Sequence, residues 1–271
     1  MQGYKLSTEN KIDIVSVYLI KMKENKVFND NLSDSFKEEV TKMIHNFNAI
    51  EGGVGIRNII KIISIDTIDL NIKAFKIPNI INQIAYRFIR KSKAQRSFEY
   101  ANKLIDLQVG TPKPIAYFEY RTALLIKKSF YISEQLDCDL TYRKLINDFN
   151  YPDYDNILRA FTRFTFDLHE KGIQFLDHSP GNTLIKKLGD TYDFYLVDLN
   201  RMNFRILDFE TRIKNFARLS KHKFMVEIMS DEYAKCIDEE YDKIFDLMWQ
   251  ETQNFRAKLV RKKELKKKLK F

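Results

Sequence analysis

The chain has 271 residues, with 46 lysines and arginines against 37 aspartates and glutamates, and a hydrophobic fraction of 44%. A chain of this length buries about 70–75% of its unfolded surface, so it needs no disulfide staples, and its apolar content excludes wholesale disorder. The five prolines and eight glycines exclude a collagen-like or low-complexity chain. This size predicts one large domain or two lobes.

The cysteines and the apolar pattern indicate where the protein resides. Cys138 and Cys236 belong to no metal-binding pattern, which predicts two reduced thiols in the cytoplasm. The first residues carry no signal-peptide pattern, and no stretch of about 18 apolar residues occurs that would cross a membrane. We therefore expect a cytoplasmic protein.

The positive charge is concentrated in a C-terminal tail, residues 256–271. This tail carries nine basic residues and one acidic residue, a charge of +8, so the rest of the chain accounts for only +1 of the net +9. A partial apolar arc includes Leu259, Leu265 and Leu269. The tail is either a solvated helix end or a segment attracted to an anionic membrane or substrate. Nucleic-acid binding is not expected, because no recognition motif accompanies the charge.

Predicted elements in the first half alternate between helix and strand. A capped amphipathic helix should run from Ser33 to Phe47. Within residues 51–76, glycines at 52, 53 and 55 precede the short β-branched runs 59–63 and 70–75, which predict antiparallel strands. Residues 79–106 are predicted to be helical.

The pattern then returns to strands before the second half becomes helical. Strand-like runs at 115–118 and 123–126 predict a hairpin joined through Arg121 and Thr122. After Asp137 the pattern is mostly helical, except over residues 173–204. We expect an α+β protein in four parts: an N-terminal extension packing on the N-lobe (1–50), a β-rich N-lobe (51–135), a helical C-lobe (136–255) and the basic tail (256–271).

Polar residues that suit phosphate chemistry lie between 168 and 201. A short strand leads to Asp177, Asn182 follows five residues later, and Asp198 ends the next apolar strand. Two carboxylates and an amide on adjacent loops are hard oxygen ligands of the kind that Mg²⁺ prefers. One carboxylate can bind metal while the other accepts a proton from a hydroxyl.

This order of motifs resembles the catalytic and metal-binding loops of the protein-kinase-like fold. The resemblance implies two lobes, a small antiparallel β-rich N-lobe with one main helix and a larger helical C-lobe. It implies Asp177 as the catalytic base, with Asn182 and Asp198 as Mg²⁺ ligands.

The same resemblance assigns nucleotide-binding residues in the N-lobe. Gly53 and Gly55 correspond to the loop that covers the phosphates, and Lys73 to the lysine that contacts them, with Glu99 as its ion-pair partner. Glu134 marks the adenine-binding hinge by its position. Lys76 is a rival to Lys73, but in a strand Lys73 lies on the face opposite Ile72, which favours Lys73.

Five segments resemble the lipopolysaccharide kinase family in particular: residues 55–58, 90–100, 111–117, 177–182 and 198–202. They are most similar to the Kdo (3-deoxy-D-manno-octulosonic acid) kinase-like proteins of Bacteroidetes-type bacteria. The similarity implies ATP- and Mg²⁺-dependent phosphorylation of a Kdo hydroxyl in the lipid A inner core. The protein would then work peripherally on the inner face of the inner membrane, with a lipid A-Kdo glycolipid as its substrate.

The chain also departs from the kinase pattern. Phe175-Leu176 replaces His-Arg before Asp177, and Asn200 replaces the glycine after Asp198, where asparagine tolerates the positive φ of that turn. No Ala-Pro-Glu segment follows, which disfavours a peptide substrate. Two alternatives remain: another acceptor (heptose, another carbohydrate or a protein Ser/Thr), or a non-catalytic module that binds lipopolysaccharide or nucleotide.

Overall fold

A computed structural model describes residues 22–55 and 58–268. Leu269 and the first 21 residues of the predicted N-terminal extension therefore lie outside the described residues. The chain divides into two compact units. The first contains the described chain up to Asn102 together with Pro112–Leu136, and the second contains Lys103–Thr111 together with the chain from Asp137 onward.

The first unit is built on one antiparallel sheet of five strands in the order β1-β4-β5-β3-β2. The strands are β1 (Lys23–Phe28), β2 (Asn58–Ile65), β3 (Ile68–Phe75), β4 (Pro114–Arg121) and β5 (Ile126–Glu134). Alternation of apolar and polar residues gives β3 its two faces, with Leu70 and Ile72 buried. The antiparallel β-rich lobe predicted from the sequence is thus present.

One face of this sheet is covered by helix α1 (Asp34–His45). The predicted cap is confirmed, because the Ser33 side chain accepts a hydrogen bond from the Phe36 amide at 3.2 Å. Val40 and Ile44 of the helix pack with Ile72 in a cluster of buried residues. Residues before position 50 therefore contribute to the core of the first unit.

The predicted helical stretch 79–106 is divided into two helices, α2 (Ile80–Phe88) and α3 (Lys93–Asp106). The break follows from local capping, since the Ser92 hydroxyl accepts a hydrogen bond from the Gln95 amide at 3.0 Å and starts a new helix. Helix α3 packs Ala94 and Phe98 on Phe75 of β3. The main helix of the first unit is accompanied by two shorter ones.

The hairpin between β4 and β5 has a longer turn than the sequence predicted. Residues 123–125 form the turn and not the start of a strand, because Thr122 closes it: its hydroxyl accepts a hydrogen bond from the Leu125 amide at 3.1 Å. A short polar side chain at the first position of a turn supplies such a bond to the backbone.

The second unit is mainly helical. Its helices are α4 (Tyr142–Asn147), α5 (Tyr154–Glu170), α6 (Phe209–Asn215), α7 (Lys223–Ile237) and α8 (Tyr241–Lys268), with a 3₁₀ turn at Phe216–Arg218. Its core contains Tyr142, Phe161, Tyr233 and Met248. The described part of the basic tail continues α8, whose buried residues end at Thr252.

Short strands complete the second unit in two antiparallel groups. One group orders β6 (Leu140–Thr141), β8 (Thr183–Leu188) and β9 (Thr191–Leu196), and the other pairs β7 (Ile173–Phe175) with β10 (Met202–Phe204). In the part of the chain that the structure describes, no helix is both long enough and apolar enough to cross a membrane.

Two buried histidines lie in the core of the second unit. His178 stacks on Phe161 with ring centroids 5.3 Å apart, and its Nε2 is 3.3 Å from the Thr165 hydroxyl. His169 contacts the Tyr233 hydroxyl at 2.9 Å. Burial lowers the pKa of His178 to about 3 and that of His169 to about 4, because the charged ring loses its hydration.

We expect acid to destabilise the fold through these histidines. Below pH about 6.5 the unfolded chain takes up protons that the folded chain does not, so stability is lost as the pH falls towards about 4. His178→Phe should reduce the slope of unfolding free energy against pH by about 1.4 kcal/mol per unit. Urea unfolding between pH 7 and about 4 measures the slopes.

The Thr165 hydroxyl keeps its bond to the Phe161 carbonyl in His178→Phe, so no polar partner is orphaned. Phe161→Leu is the control, since it changes the same cluster without a titratable group and should lower stability equally at every pH. Equal slopes for the native chain and His178→Phe would contradict the buried neutral histidine.

Candidate active site

The glycine turn of the first unit has a backbone that other residues do not readily adopt. Gly53 and Gly55 have φ values of +125° and +133°, and a Cβ at Gly55 would lie 1.9 Å from the carbonyl oxygen of Asn58. Val54 between them forms a bridge with Ile60 of β2. The turn therefore folds back on β2 and requires glycine at position 55.

Lys73 lies on the face of β3 opposite Ile72, as the alternation predicts. Its cross-strand neighbours are Ile60 and Tyr131, and its Nζ is 5.5 Å from the centroid of the Phe75 ring. Lys76 follows the end of β3 and is exposed. This placement favours Lys73 over Lys76, while the role of Lys73 towards phosphate stays a prediction.

Glu99 lies on α3 and has a partner that the sequence did not indicate. Lys91 Nζ is 2.9 and 2.8 Å from its two carboxylate oxygens, and Gln95 Nε2 donates to one of them at 3.0 Å. The preceding residue, Phe98, packs on Phe75, so helix and strand are neighbours. The structure gives Glu99 to Lys91, and the pairing of Glu99 with Lys73 stays a prediction.

Glu134 is the last residue of β5, two residues before the first unit ends at Leu136. Its carboxylate lies 3.0 Å from Lys113 Nζ, and its amide donates to the Lys113 carbonyl at 2.8 Å. The Glu134 side chain therefore forms an ion pair within the first unit. A role at an adenine site stays a prediction.

In the second unit, two antiparallel pairings bring Asp177, Asn182 and Asp198 to adjacent loops. Thr183 pairs with Leu196, and the Val197 amide donates to the Asn182 carbonyl at 3.0 Å, so the start of β8 faces the end of β9. Phe175 of β7 pairs with Met202 of β10, so the segment that follows Asp198 runs next to the strand that precedes Asp177. The grouping predicted from the spacing is thus present in the fold.

The candidate catalytic loop is closed by its own asparagine. Asn182 Nδ2 donates to the Asp177 carbonyl at 2.8 Å, which leaves Asn182 Oδ1 as the atom that can face a metal ion. Arg218 Nη2 lies 2.8 Å from Asp177 Oδ1, and Arg201 Nη1 lies 3.9 Å from Oδ2. Asp177 Oδ2 is therefore the oxygen with the weaker ion pair and the better proton acceptor by geometry.

Asp198 takes a left-handed backbone, with φ of 60°. The sequence predicted that Asn200 would supply the positive φ of this turn, and this is wrong: Asn200 is not among the described non-glycine residues with positive φ. Asn200 instead donates its side-chain amide to Asp198 Oδ1 at 2.8 Å. Aspartate tolerates this region because its short polar side chain bonds locally.

Arg218 is the neighbour of Asp177 that sequence reasoning missed. It lies on the 3₁₀ turn after α6, donates to the Leu176 carbonyl at 2.8 Å and pairs with Asp177. Its guanidinium also lies 5.4 Å from the centroid of the Phe255 ring. No motif marks this residue, because its contact depends on packing between segments about forty residues apart.

Comparison with known proteins decides the family. A model described as the lipopolysaccharide kinase (Kdo/WaaP) family matches residues 78–239, more than half of the chain. The chain belongs to this family. No curated protein matches the chain in sequence.

One solved structure shares the fold of this lipopolysaccharide kinase family member, and two protein kinases are similar to it at lower scores. The structure described as WaaP in complex with acyl carrier protein has a TM-score of 0.58 and 17% identity, covering 89% of this chain and 98% of that one. MAP kinase LmaMPK10 from Leishmania major has a TM-score of 0.42 and 14% identity, covering 74% of this chain and 61% of its own. The PknI kinase domain of Mycobacterium tuberculosis, a double mutant, has a TM-score of 0.42 and 13% identity, covering 73% of this chain and 92% of its own.

The donors present fit a kinase magnesium ion. Among residues 22–55 and 58–268, no group of three or more His, Cys, Asp or Glu side chains is arranged to hold a metal. Kinase Mg²⁺ does not need one, since it takes one or two protein oxygens and completes its shell with phosphates and water. Asn182 Oδ1 and the Asp198 carboxylate supply that number.

We expect Arg218→Met to lower kcat for phosphoryl transfer about 10–100-fold, because the Asp177 carboxylate loses the guanidinium that orients it. KM for ATP should stay within about twofold, since Arg218 contacts the loop and not the nucleotide. Steady-state kinetics at varied ATP concentration separate the two constants.

Arg163→Met is the matched control, because Arg163 of α5 forms its ion pair with Glu232 of α7 and not with Asp177, so both constants should stay unchanged. The assigned role of Arg218 would be refuted if Arg218→Met left kcat unchanged while the protein remained folded.

Proposed function

We propose that this lipopolysaccharide kinase family member transfers the γ-phosphate of ATP to a hydroxyl of Kdo in the lipid A inner core. The observation that carries the proposal is the closed loop from Asp177 to Asn182, set beside Asp198 by the β8–β9 pairing. This arrangement provides a base and a pair of metal ligands within one unit. The proposed site of action is the inner face of the bacterial inner membrane.

In the proposed reaction, Asp177 Oδ2 accepts the proton of the acceptor hydroxyl as its oxygen bonds to the γ-phosphorus. The bond from that phosphorus to the β,γ-bridging oxygen breaks, and ADP leaves with its electron pair. Mg²⁺ held by Asn182 and Asp198 would offset the negative charge on the phosphates. In the first unit, Lys73 and the amides of Gly53 and Gly55 are the groups proposed to bind nucleotide phosphate, since the Val54 amide between them donates to the Ile60 carbonyl.

Exposed arginines beside the loop favour an anionic acceptor such as Kdo, whose ring carries a carboxylate. The Arg201 side chain is 55% exposed and lies 3.9 Å from Asp177 Oδ2. Arg143 of α4 packs on the loop so closely that a Cβ at Gly181 would lie 2.5 Å from its Nη2. Arginine forms paired hydrogen bonds with carboxylates and phosphates, so these side chains suit an acidic sugar.

A short connection after Asp198 disfavours a protein acceptor. Strand β10 begins at Met202, and α6 begins at Phe209, which leaves little chain for a peptide-docking segment. The region that protein kinases use to hold a peptide has no counterpart of similar length here. A carbohydrate acceptor needs no such platform.

Mass spectrometry of a Kdo-lipid A precursor, incubated with the protein, ATP and Mg²⁺, tests this proposal. We expect the precursor to gain one phosphate, and Asp177→Asn and Asp198→Asn to lose at least about 10³-fold in rate. Asp193→Asn is the control, because Asp193 is an exposed acid on β9 and should retain the activity.

Two parallel measurements separate the alternatives: the same assay with a heptose-containing acceptor, and ATP binding with and without Mg²⁺. Phosphate transfer to a heptose-containing acceptor, with none to Kdo, would overturn the acceptor and keep the chemistry. Absence of Mg²⁺-dependent ATP binding would overturn the active kinase and leave a lipopolysaccharide-binding module.

The glycine turn gives a separate prediction about nucleotide binding. Gly55→Ala should raise KM for ATP at least about tenfold, because the added Cβ collides with the Asn58 carbonyl and moves the turn. Gly52→Ala is the matched control: φ at Gly52 is also positive, at +79°, but no atom lies within 4 Å of an added Cβ. Equal KM values for the two variants would show that the turn does not contact ATP.

A further inference from the structure

Helix α2 turns its apolar side away from the protein. Ile80 is 62% exposed, Ile81 74%, Ile84 45% and Phe88 59%, and Ile89 just after the helix is 85% exposed. The four helical positions fall within one arc of about 100°, so they form a continuous apolar face. A scattered exposed isoleucine is ordinary, but a contiguous apolar face marks a binding surface.

The side of α2 that faces the first unit begins at the edge of the apolar face and carries the half-buried side chains of Gln83, Tyr86 and Arg87. Arg87 Nε donates to the Thr122 carbonyl at 3.3 Å, and Gln83 Nε2 donates to the Pro78 carbonyl at 2.9 Å. Arg96 places its guanidinium 6.0 Å from the centroid of the Tyr86 ring. This orientation is the reverse of a surface helix that covers a core, which buries its apolar stripe.

Basic residues lie before, at the end of and after the apolar face of α2 in the sequence. Between residues 76 and 93 the sequence has no aspartate or glutamate and five basic residues: Lys76, Arg87, Arg90, Lys91 and Lys93. The charge of Lys91 is offset by its ion pair with Glu99, so the other four supply the positive charge beside the face. Lys127 and Lys128 of β5 line the same pocket as Lys76 and Lys93. The charge beside the face therefore complements an anionic surface.

We propose that α2 docks the protein on an anionic lipid bilayer, with the apolar face in the headgroup region and the basic residues against lipid phosphates. Apolar residues on one side and lysines and arginines beside them are the pattern of interfacial helices. A second copy of the chain fits less well, because it would bring two basic clusters together. The inference rests on the proposed function in one respect: the proposed glycolipid acceptor is embedded in a bilayer of this kind.

Vesicle sedimentation tests the docking without any glycolipid or ATP, so its outcome is separate from that of the kinase assay. The full-length protein should bind phosphatidylcholine vesicles that contain about a quarter phosphatidylglycerol, and bind pure phosphatidylcholine more weakly. Ile81→Ser with Phe88→Ser should weaken binding to the anionic vesicles at least about tenfold. Both side chains are exposed, so their replacement should leave the fold intact.

Two matched variants decide which surface binds. Leu188→Ser with Ile206→Ser, which makes the same change at exposed residues of the second unit, should bind like the native chain. Replacing Lys263, Lys266, Lys267 and Lys268 by glutamine tests the tail, and α2 docking predicts a loss of no more than about threefold. The proposal is overturned if the tail variant loses binding while the α2 variant keeps it, or if the native chain self-associates and ignores vesicles.

Discussion

The hydrogen bond from the Asn182 side chain to the Asp177 carbonyl is the contact on which the candidate site depends. It joins the two ends of a loop between β7 and β8, so that a carboxylate and an amide oxygen keep a fixed spacing. His178 anchors the same loop in the core by stacking on Phe161. Catalysis of phosphoryl transfer relies on positioning and on fixed charges, and a loop held from both sides satisfies that need.

Two groups of polar side chains surround the loop. Asn182 and Asp198 are the proposed ligands of Mg²⁺. Arg218 and Arg201 surround the carboxylate of Asp177, and only Arg218 makes a close ion pair with it. In the proposed reaction this difference gives the two oxygens of Asp177 separate tasks: Oδ1 would hold the orientation of the carboxylate, and Oδ2 would accept the proton of the acceptor hydroxyl.

Local patterns were sufficient to predict much of the fold and the grouping of Asp177, Asn182 and Asp198 on adjacent loops. Alternation over β3 placed Ile72 in the core and Lys73 on the other face, because side chains in a strand alternate strictly. The spacing from Asp177 to Asn182 and Asp198 predicted adjacent loops, since each residue follows or precedes a short strand. The Ser33 cap was also predictable from the sequence, because a helix cap depends only on residues within one turn.

Contacts between distant segments could not be read from the sequence. Arg218 reaches Asp177 only through the packing of α6 and the following 3₁₀ turn, and Lys91 competes for Glu99 across a helix break that Ser92 creates. The apolar residues of α2 are periodic in the way that usually predicts burial, and periodicity alone does not say which side of a helix faces the protein.

The central claim is that the loop ends at Asn182 and Asp198 hold the metal ion that serves phosphoryl transfer. A crystal structure with Mn²⁺ and a non-hydrolysable ATP analogue tests it most directly, because Mn²⁺ gives an anomalous signal at its own position. We predict a peak within about 2.5 Å of Asn182 Oδ1 and of a carboxylate oxygen of Asp198. A nucleotide-bound Mn²⁺ that contacts neither residue would contradict the account.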